Sequence, residues 1–126
     1  MKNLDKTMMK NLSFPDFEIE KMEFSSQRKI LKLFVEGAWL EANGGTKLGK
    51  GVLFFNDWVS ISISKFDPSI EKWVSVEEST PEMLRDLCEV KFFNSNVSLC
   101  GFGRNSGQWL EWKITHTKMS AEFESD

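Results

Sequence analysis

Hydrophobic and polar residues alternate most regularly over 58–65. Val59, Ile61 and Ile63 occupy every second position there, and serines fill the positions between them. Because successive side chains of a β-strand point to opposite faces, this spacing predicts a strand with one face on the core and the other in water. The pattern therefore indicates a fold built on β-sheet.

Other segments with a two-residue period or a short apolar run extend this interpretation. Strands are predicted over 17–24, 29–42, 52–56, 58–65, 73–77, 90–94, 97–102 and 108–118. In the first of these, the apolar phase changes between Ile19 and Met22, which predicts a β-bulge. In the last, Leu110, Trp112 and Ile114 are predicted to face the core. The short connections favour antiparallel hairpins over parallel crossovers.

The N-terminal segment has a different period. Leu4, Met8 and Leu12 recur every four residues. This spacing predicts a short helical lead-in over 1–13, with Met9 away from its apolar stripe. After this segment the chain changes to the two-residue period of the strands.

A second helix is predicted over 79–89. Ser79 can cap its first turn, Pro81 fits the restricted backbone of that turn, and Glu82 lies three residues after the cap, as in a capping box. Apolar residues then recur with a helical period. This prediction of a helix depends only on residues that are close together in the sequence.

Together these elements predict an α+β fold. Its centre is a mainly antiparallel, strongly curved sheet of about seven to eight strands, closed as a half-barrel or folded as a sandwich. The 126 residues have the size of a single domain over 1–126. We divide it into the lead-in, a sheet core over 14–118 that includes the helix, and an acidic tail over 119–126. With 11 Phe and 5 Trp, the chain has ample material for a core.

The charge of the chain narrows the classes of partner. The net charge is −3, which counts against general nucleic-acid binding.

No segment approaches the roughly 20 apolar residues of a membrane helix, and the N-terminus has no signal-peptide pattern. Cys88 and Cys100 lack the spacing of metal ligands. We therefore expect a cytoplasmic protein with free thiols and neither metal nor cofactor.

Motifs for catalysis are sparse. His116 is the only histidine, and no nucleophile motif accompanies it. The glycines over 101–107 lie between two predicted strands, so a hairpin turn explains them better than a phosphate-binding loop. Glu77 and Glu78 are adjacent on a strand and point to opposite faces, so they cannot flank one bond. An enzyme is the least favoured interpretation.

Two surface features are candidates for binding a partner. The candidate residues are Glu71, Glu77, Glu78, Glu82, Asp86, Glu89 and Trp109. Trp109 lies on the polar phase of its strand, where it is either an exposed anchor or packed under a helix. Glu82, Asp86 and Glu89 are spaced to share one helix face. That face either attracts a basic partner or is simply solvated.

The segment Phe14-Pro15-Asp16-Phe17-Glu18-Ile19 follows the helical lead-in as a Phe-x-Asp-x-x-Ile motif. Together with the apolar run over 51–55, the strand over 59–63 and Leu99-x-Gly101 before Trp109, it resembles small bacterial immunity-type proteins of polymorphic toxin systems and their uncharacterised relatives. Such relatives often have His where this chain has Pro15. The resemblance implies a non-catalytic, β-rich protein that binds and neutralises another protein.

Two hypotheses about function follow. In the first, the chain is a cytoplasmic protein-binding domain, of the immunity or inhibitor type, that uses an acidic and aromatic surface. The alternative is a module for a small ligand or sugar, with Trp109 and neighbouring aromatic residues on a concave face. A pocket lined by Trp and Phe would favour the alternative, whereas a flat or convex acidic surface would favour the first.

Overall fold

The structure is a computed structural model, and it describes residues 2–15, 17–76 and 81–124. Within these ranges the chain forms thirteen β-strands, one α-helix and one 3-10 turn. The strands are β1 (Lys2–Leu4), β2 (Leu12–Ser13), β3 (Ile19–Ser25), β4 (Ile30–Val35), β5 (Ala38–Leu40), β6 (Thr46–Leu48), β7 (Gly51–Asn56), β8 (Ser60–Asp67), β9 (Lys72–Val76), β10 (Glu89–Phe93), β11 (Asn96–Phe102), β12 (Trp109–Thr115) and β13 (Lys118–Phe123). The helix α1 spans Lys6–Met9, and the 3-10 turn spans Ala42–Gly44.

The strands form three antiparallel sheets. The first sheet has the order β1-β13-β7-β4-β3, the second has the order β10-β11-β12-β8-β9, and the third has the order β2-β5-β6. This confirms a mainly antiparallel β fold with a short helix. The expectation of about seven to eight strands in one strongly curved sheet was wrong. The chain divides its apolar segments into shorter strands and distributes them over three sheets.

The inner faces of the two five-stranded sheets contribute to one hydrophobic core. Phe24 of the first sheet stacks on Trp58 with ring centroids 5.8 Å apart, and meets Trp112 of the second sheet edge-on at 5.7 Å. Leu110, Trp112 and Ile114 are all buried, as their spacing predicts. Aromatic pairs of this kind add about 0.5–1.5 kcal/mol beyond the burial of their area.

Two local predictions about strands can be compared directly with the structure. The register between β3 and β4 shifts between Ile19 and Lys21, which confirms the β-bulge. Ile61 and Ile63 are buried, as predicted, but Val59 is 65% exposed. The prediction for Val59 was wrong because this residue precedes the first residue of β8 and so lies outside the alternation of the strand.

Two predicted strands each become two strands. The segment 29–42 forms β4 and β5, which belong to different sheets. The segment 108–118 forms β12 and then turns at His116, whose φ is 51°, into β13 of the first sheet. Most of the predicted tail over 119–126 is therefore strand. The buried side chains of β13 are Met119, Ala121 and Phe123.

The predicted helix over 79–89 was wrong for its described part. Residues 79 and 80 lie outside the described ranges, and the chain over 81–88, which we call the strap, contains no helix. Instead, Leu84 and Asp86 form isolated β-bridges beside β11 and β3. The strap thus lies between an edge of the first sheet and a strand of the second.

Hydrogen bonds explain why the strap is extended. The amide of Ile19 donates to the carbonyl of Arg85, and the amide of Arg85 donates to the carbonyl of Phe102, both at 2.8 Å. The backbone of Arg85 therefore bonds to both five-stranded sheets. An α-helix satisfies its backbone groups internally, so a helical strap could not make these bonds.

The lead-in is helical only in part. Helix α1 confirms a short helix there, but it is a single turn between the strands β1 and β2. Met9 is buried and Met8 lies at the surface, which reverses their predicted positions. A four-residue period cannot hold across the segment because most of it is not helical.

Candidate functional site

Five aromatic side chains point outward from the second sheet. One of them, Phe93 of β10, is 72% exposed and stands apart from the others. The other four lie in one row, one from each of four neighbouring strands. They are Phe102 of β11, Trp109 of β12, Phe66 of β8 and Trp73 of β9. We call this set the aromatic row. Phe66 and Trp109 fall on the opposite phase from the buried residues of their own strands, and the strand register places Trp73 and Phe102 beside them on the same side.

The strand register brings these side chains together. Phe102 is the direct partner of Trp109, and Phe66 is the direct partner of Trp73. Because Leu110 pairs with the residue before Phe66, Trp109 and Phe66 are also neighbours across β12 and β8. Directly opposed residues on one face of an antiparallel pair lie close enough to contact each other. The register thus places the four side chains in one row across the sheet.

The rings of the aromatic row pack edge to face within each pair. The centroids of Phe102 and Trp109 are 5.2 Å apart with an interplanar angle of 78°, and those of Phe66 and Trp73 are 5.6 Å apart with an angle of 70°. The guanidinium carbon of Arg85 lies 5.4 Å from the centroid of Phe102. This is a favourable cation–π distance, so the strap supplies a cation at one end of the row.

A substantial part of this aromatic surface faces solvent. Trp73 is 49% exposed, and Ile70 in the turn before it is 54% exposed. Phe102 is exposed as well, whereas Trp109 and Phe66 are half-buried. A contiguous apolar patch that is exposed to solvent is characteristic of an interaction site.

Acidic and basic side chains follow the aromatic row on the same face. The neighbouring row across the sheet includes Glu89 and Glu111, and the row after it includes Lys91 and Lys113. The two glutamates pair with these lysines at 3.4 and 3.6 Å. The hydroxyl of Ser98 also donates to Glu111 at 2.7 Å. The face therefore has an apolar band beside a band of paired charges.

Of four predicted binding residues, the structure describes two and leaves two outside its described ranges. Trp109 belongs to the aromatic row, half-buried against Phe102 and not beneath a helix. Glu71 is exposed in the turn between β8 and β9, with a φ of 52°. Glu77 and Glu78 lie outside the described residues.

The predicted face shared by Glu82, Asp86 and Glu89 does not form, because the strap is not helical. Glu82 accepts hydrogen bonds from the amides of Asn105 at 3.0 Å and Ser106 at 2.6 Å. Burial raises the pKa of Glu82, but hydrogen bonds from these two residues outweigh it and hold the pKa below its ordinary value. Glu82 thus secures the turn between β11 and β12.

Asp86 has a comparable structural contact, because its Oδ1 accepts a hydrogen bond from the amide of Phe102 at 2.9 Å. The strap lies so close to β11 that positions 101 and 103 have no room for a side chain. A Cβ atom on Gly101 would collide with the carbonyl oxygen of Asp86, and one on Gly103 with the carboxylate of Glu82. The predicted hairpin turn is confirmed, but these two glycines serve the approach of the strap. Gly107, with a φ of 70°, serves the turn.

His116 and the two cysteines are the side chains that could carry catalytic chemistry. His116 is exposed in the turn between β12 and β13, where its amide donates to Oδ1 of Asn96 at 2.9 Å. Desolvation and the nearby Asp86 carboxylate raise the pKa of Cys88 to about 11. Its thiol is therefore protonated near neutral pH and a poor nucleophile.

Cys100 also has a raised pKa, chiefly because of burial. Both thiols are free. Over residues 2–15, 17–76 and 81–124 there is no group of three or more His, Cys, Asp or Glu that could hold a metal ion. In the same part of the chain, no helix is long and apolar enough to cross a membrane.

A cleft of about 730 Å³ adjoins the aromatic row at Arg85, which lines the cleft and also lies over Phe102. Its walls come from residues 13–15, 17 and 18 on one side and from 85–88 of the strap on the other. Phe14 and Phe17 line it, but no tryptophan does. The aromatic row is thus a sheet surface and not the wall of this cleft.

The sequence patterns missed Phe66, Phe102 and Arg85 as members of the site. Phe66 continues the serine phase of its strand one position past the predicted end, and Phe102 directly precedes a turn glycine. These positions mark both residues as outward-facing aromatics. The pairing of β12 with β8 has no comparable signal in the sequence.

No family model, no curated protein and no solved structure matches this chain. Conclusions about its function therefore rest on its own geometry.

Proposed function

We propose that this chain is a non-catalytic, cytoplasmic binding domain that holds a protein partner on the outer face of its second sheet. The observation that carries the proposal is the aromatic row. Four aromatic side chains from four strands occupy one strip, in which Phe102 and Trp73 are exposed and Arg85 lies at one end. Trp, Phe and Arg are the side chains enriched in the cores of protein interfaces.

The form of the surface supports a protein as the partner. Small ligands are usually bound in cavities that cover most of their surface, whereas the aromatic row lies on the open face of a sheet. Each aromatic side chain can bury roughly 150–250 Å². Four of them, with Ile70 beside them, form an apolar centre, and the paired charges next to it form a polar margin. Protein interfaces have this arrangement of apolar core and polar rim.

The net charge of the chain supports a basic partner. It is −3, whereas Glu89 and Glu111 beside the aromatic row are paired with Lys91 and Lys113 and add no excess of negative charge there. Charges at the margin of an interface act mainly on the rate of encounter and on the choice of partner. The resemblance to immunity-type proteins favours the same class of function, because it implies a protein that binds and neutralises another protein.

The alternative function, binding of a sugar, has one observation in its favour. Hydroxyl groups of Ser64 and Ser75 lie in the row next to the exposed aromatic rings. Against it, the rings pack edge to face, so the row does not present a set of coplanar faces. The two functions make different predictions for a defined set of ligands.

The test compares three immobilised forms of the full chain in a lysate of the native host. They are the wild type, the double variant Trp73→Ala with Trp109→Ala, and the control Trp39→Ala. Trp39 is 40% exposed on the third sheet, so the control removes a similarly exposed indole elsewhere. We expect the wild type and the control to capture the same protein and the double variant to lose it.

Two results would contradict the proposal. One is a captured protein that the double variant retains in full while circular dichroism shows all three forms folded. The other is saturable binding of a soluble oligosaccharide from a defined panel, measured by calorimetry and abolished by Trp109→Ala. The second result would establish the sugar-binding alternative in its place.

A further inference from the structure

We propose that the partner adds an extended segment to β9, so that the second sheet gains a sixth strand supplied by the bound protein. This inference rests on the proposed function and specifies how the partner is held. Addition of a strand to a free sheet edge is a recurrent mode of peptide recognition, in which main-chain hydrogen bonds supply affinity and side-chain contacts supply specificity.

The strand β9 has the features of a receptive edge. It is the last strand of the second sheet and pairs only with β8 in the described part of the chain. Its register with β8 runs unbroken over five residue pairs. The residues from Lys72 to Ser75 are all exposed, with Trp73 at 49% and Val74 at 40%. An edge that exposes large apolar side chains on both faces invites pairing with another chain.

The other edges of the two large sheets are protected. The strand β1 has only three residues. The strand β3 carries the bulge after Ile19 and bonds to the strap there. The strand β10 carries the charged pair Glu89 and Lys91, although Phe93 at its end is 72% exposed. Short strands, bulges and charges are the devices by which natural sheets block edge pairing, and the five residues of β9 contain one charged residue, Lys72.

The aromatic row runs directly to this edge. Trp73 is both its last member and a side chain of β9. A strand added to β9 would lie about 4.8 Å from it, and every second side chain of that strand would point to the same face as Trp73. One outward apolar residue of the added segment would therefore extend the row. The edge and the row form a single surface for one partner.

Charge identifies the kind of segment that fits. Glu71 precedes β9, and Glu77 and Glu78 directly follow it in the sequence. A segment that is apolar at its centre and has Lys or Arg at its ends complements this distribution. A second copy of this chain is disfavoured, because it has the same net charge of −3 and therefore lacks this charge complementarity.

The experiment selects binders from a displayed library of random nine-residue peptides, using the full chain as bait. We expect the enriched peptides to carry β-branched or aromatic residues at alternate central positions and Lys or Arg near the ends. The best peptide is then synthesised, and hydrogen–deuterium exchange is measured with and without it. We expect the amides of β9 to become protected.

Matched variants locate the effect. Val74→Lys places a charge on the edge strand, and Val59→Lys makes the same change at another exposed valine, ahead of β8. We expect the first variant to weaken binding of the peptide at least about tenfold and the second to leave it within about twofold.

The remaining outcomes overturn the inference. It fails if no peptide is enriched, if the enriched peptides are acidic or rich in proline, or if protection falls outside β9. It also fails if the free chain sediments as a dimer with β9 already protected, since a second copy would then hold the edge. A peptide that needs Trp109 but leaves β9 unprotected would refute strand addition alone and would leave the proposed function standing.

Discussion

Both large sheets carry aromatic side chains on their outer faces, but the cross-strand neighbours of these rings differ between the two faces. On the first sheet, the ammonium group of Lys21 lies 4.7 Å from the ring centroid of Phe34, and that of Lys32 lies 5.8 Å from Phe54. Each lysine is the direct cross-strand partner of the ring it covers. These rings are therefore half-buried beneath aliphatic stems that keep their charges in water.

On the second sheet, the cross-strand partners of the rings are other rings. Phe102 opposes Trp109, and Phe66 opposes Trp73. Arg85 covers one end of the row, and the other end reaches the open edge at β9. An outward aromatic residue is thus not by itself a sign of a binding site. Within the row only Phe102 and Trp73, at its two ends, are exposed, whereas Trp109 and Phe66 are half-buried, as are Phe34 and Phe54.

The largest effect is expected from a substitution that tests which face of the second sheet is buried. Ile61→Ser should lower the free energy of unfolding by about 3–5 kcal/mol, because it removes a buried aliphatic group and buries a hydroxyl. Val59→Ser is the control and should change stability by less than about 0.5 kcal/mol. Urea unfolding followed by tryptophan fluorescence measures both. Similar midpoints for the two variants would show that the faces are assigned wrongly.

The next effect concerns affinity and compares the two outer faces. Trp109→Ala should weaken binding of the captured partner by about 2–4 kcal/mol, as expected of an aromatic hot spot. Phe34→Ala on the first sheet should change that affinity by less than about 0.5 kcal/mol, because its ring lies under Lys21 on the other face. Surface plasmon resonance with the purified partner measures both. An equal loss for the two variants would remove the distinction between the faces.

A smaller effect is expected at the strap, which supplies the cation of the aromatic row. Glu82→Gln should lower stability by about 1–2 kcal/mol, because charged hydrogen bonds to the turn amides become neutral ones. Since the folded-state pKa of Glu82 lies below its ordinary value of 4.5, the contribution is fully present above about pH 4.5. It is lost as the pH falls through the folded-state pKa.

Unfolding experiments between pH 3 and 7 check this prediction. The stability of the Gln variant should fall less steeply with acid than that of the wild type. Glu89→Gln is the matched control, since Glu89 makes an exposed ion pair with Lys91, and its effect should stay within about 0.5 kcal/mol. Parallel pH profiles for the wild type and Glu82→Gln would show that the carboxylate contributes nothing as an anion.

The smallest effect is expected from uncovering a ring on the first sheet. A double-mutant cycle with Lys21→Ala and Phe34→Leu should give a coupling energy of about 0.5–1 kcal/mol, the range of an exposed cation–π contact. Thermal unfolding of the four forms supplies the values. A coupling energy of zero would mean that the lysine does not stabilise the covered ring.

The elements that could be predicted from the sequence depend on short-range spacing. The alternation at Ile61 and Ile63 and the phase change after Ile19 identified a buried strand and a bulge, because each involves only a few successive residues. The helix predicted over 79–89 from the capping pattern of Ser79 and Glu82 was wrong for the residues that are described. There, bonds from distant backbone groups and the close approach permitted by Gly103 outweigh a local capping preference.

The residue pattern alone was therefore sufficient for the class of fold, for most strand positions and for the placing of Trp109 on an outward face. It could not bring Trp109 beside Phe66, because β8 and β12 are far apart in the chain and their register depends on the burial and hydrogen bonding of the whole sheet. The aromatic row and the open edge at β9 exist only once that register is formed. The sequence of a strand determines which of its side chains point outward. Which side chains of different strands become neighbours depends on how the strands pair in the folded sheet.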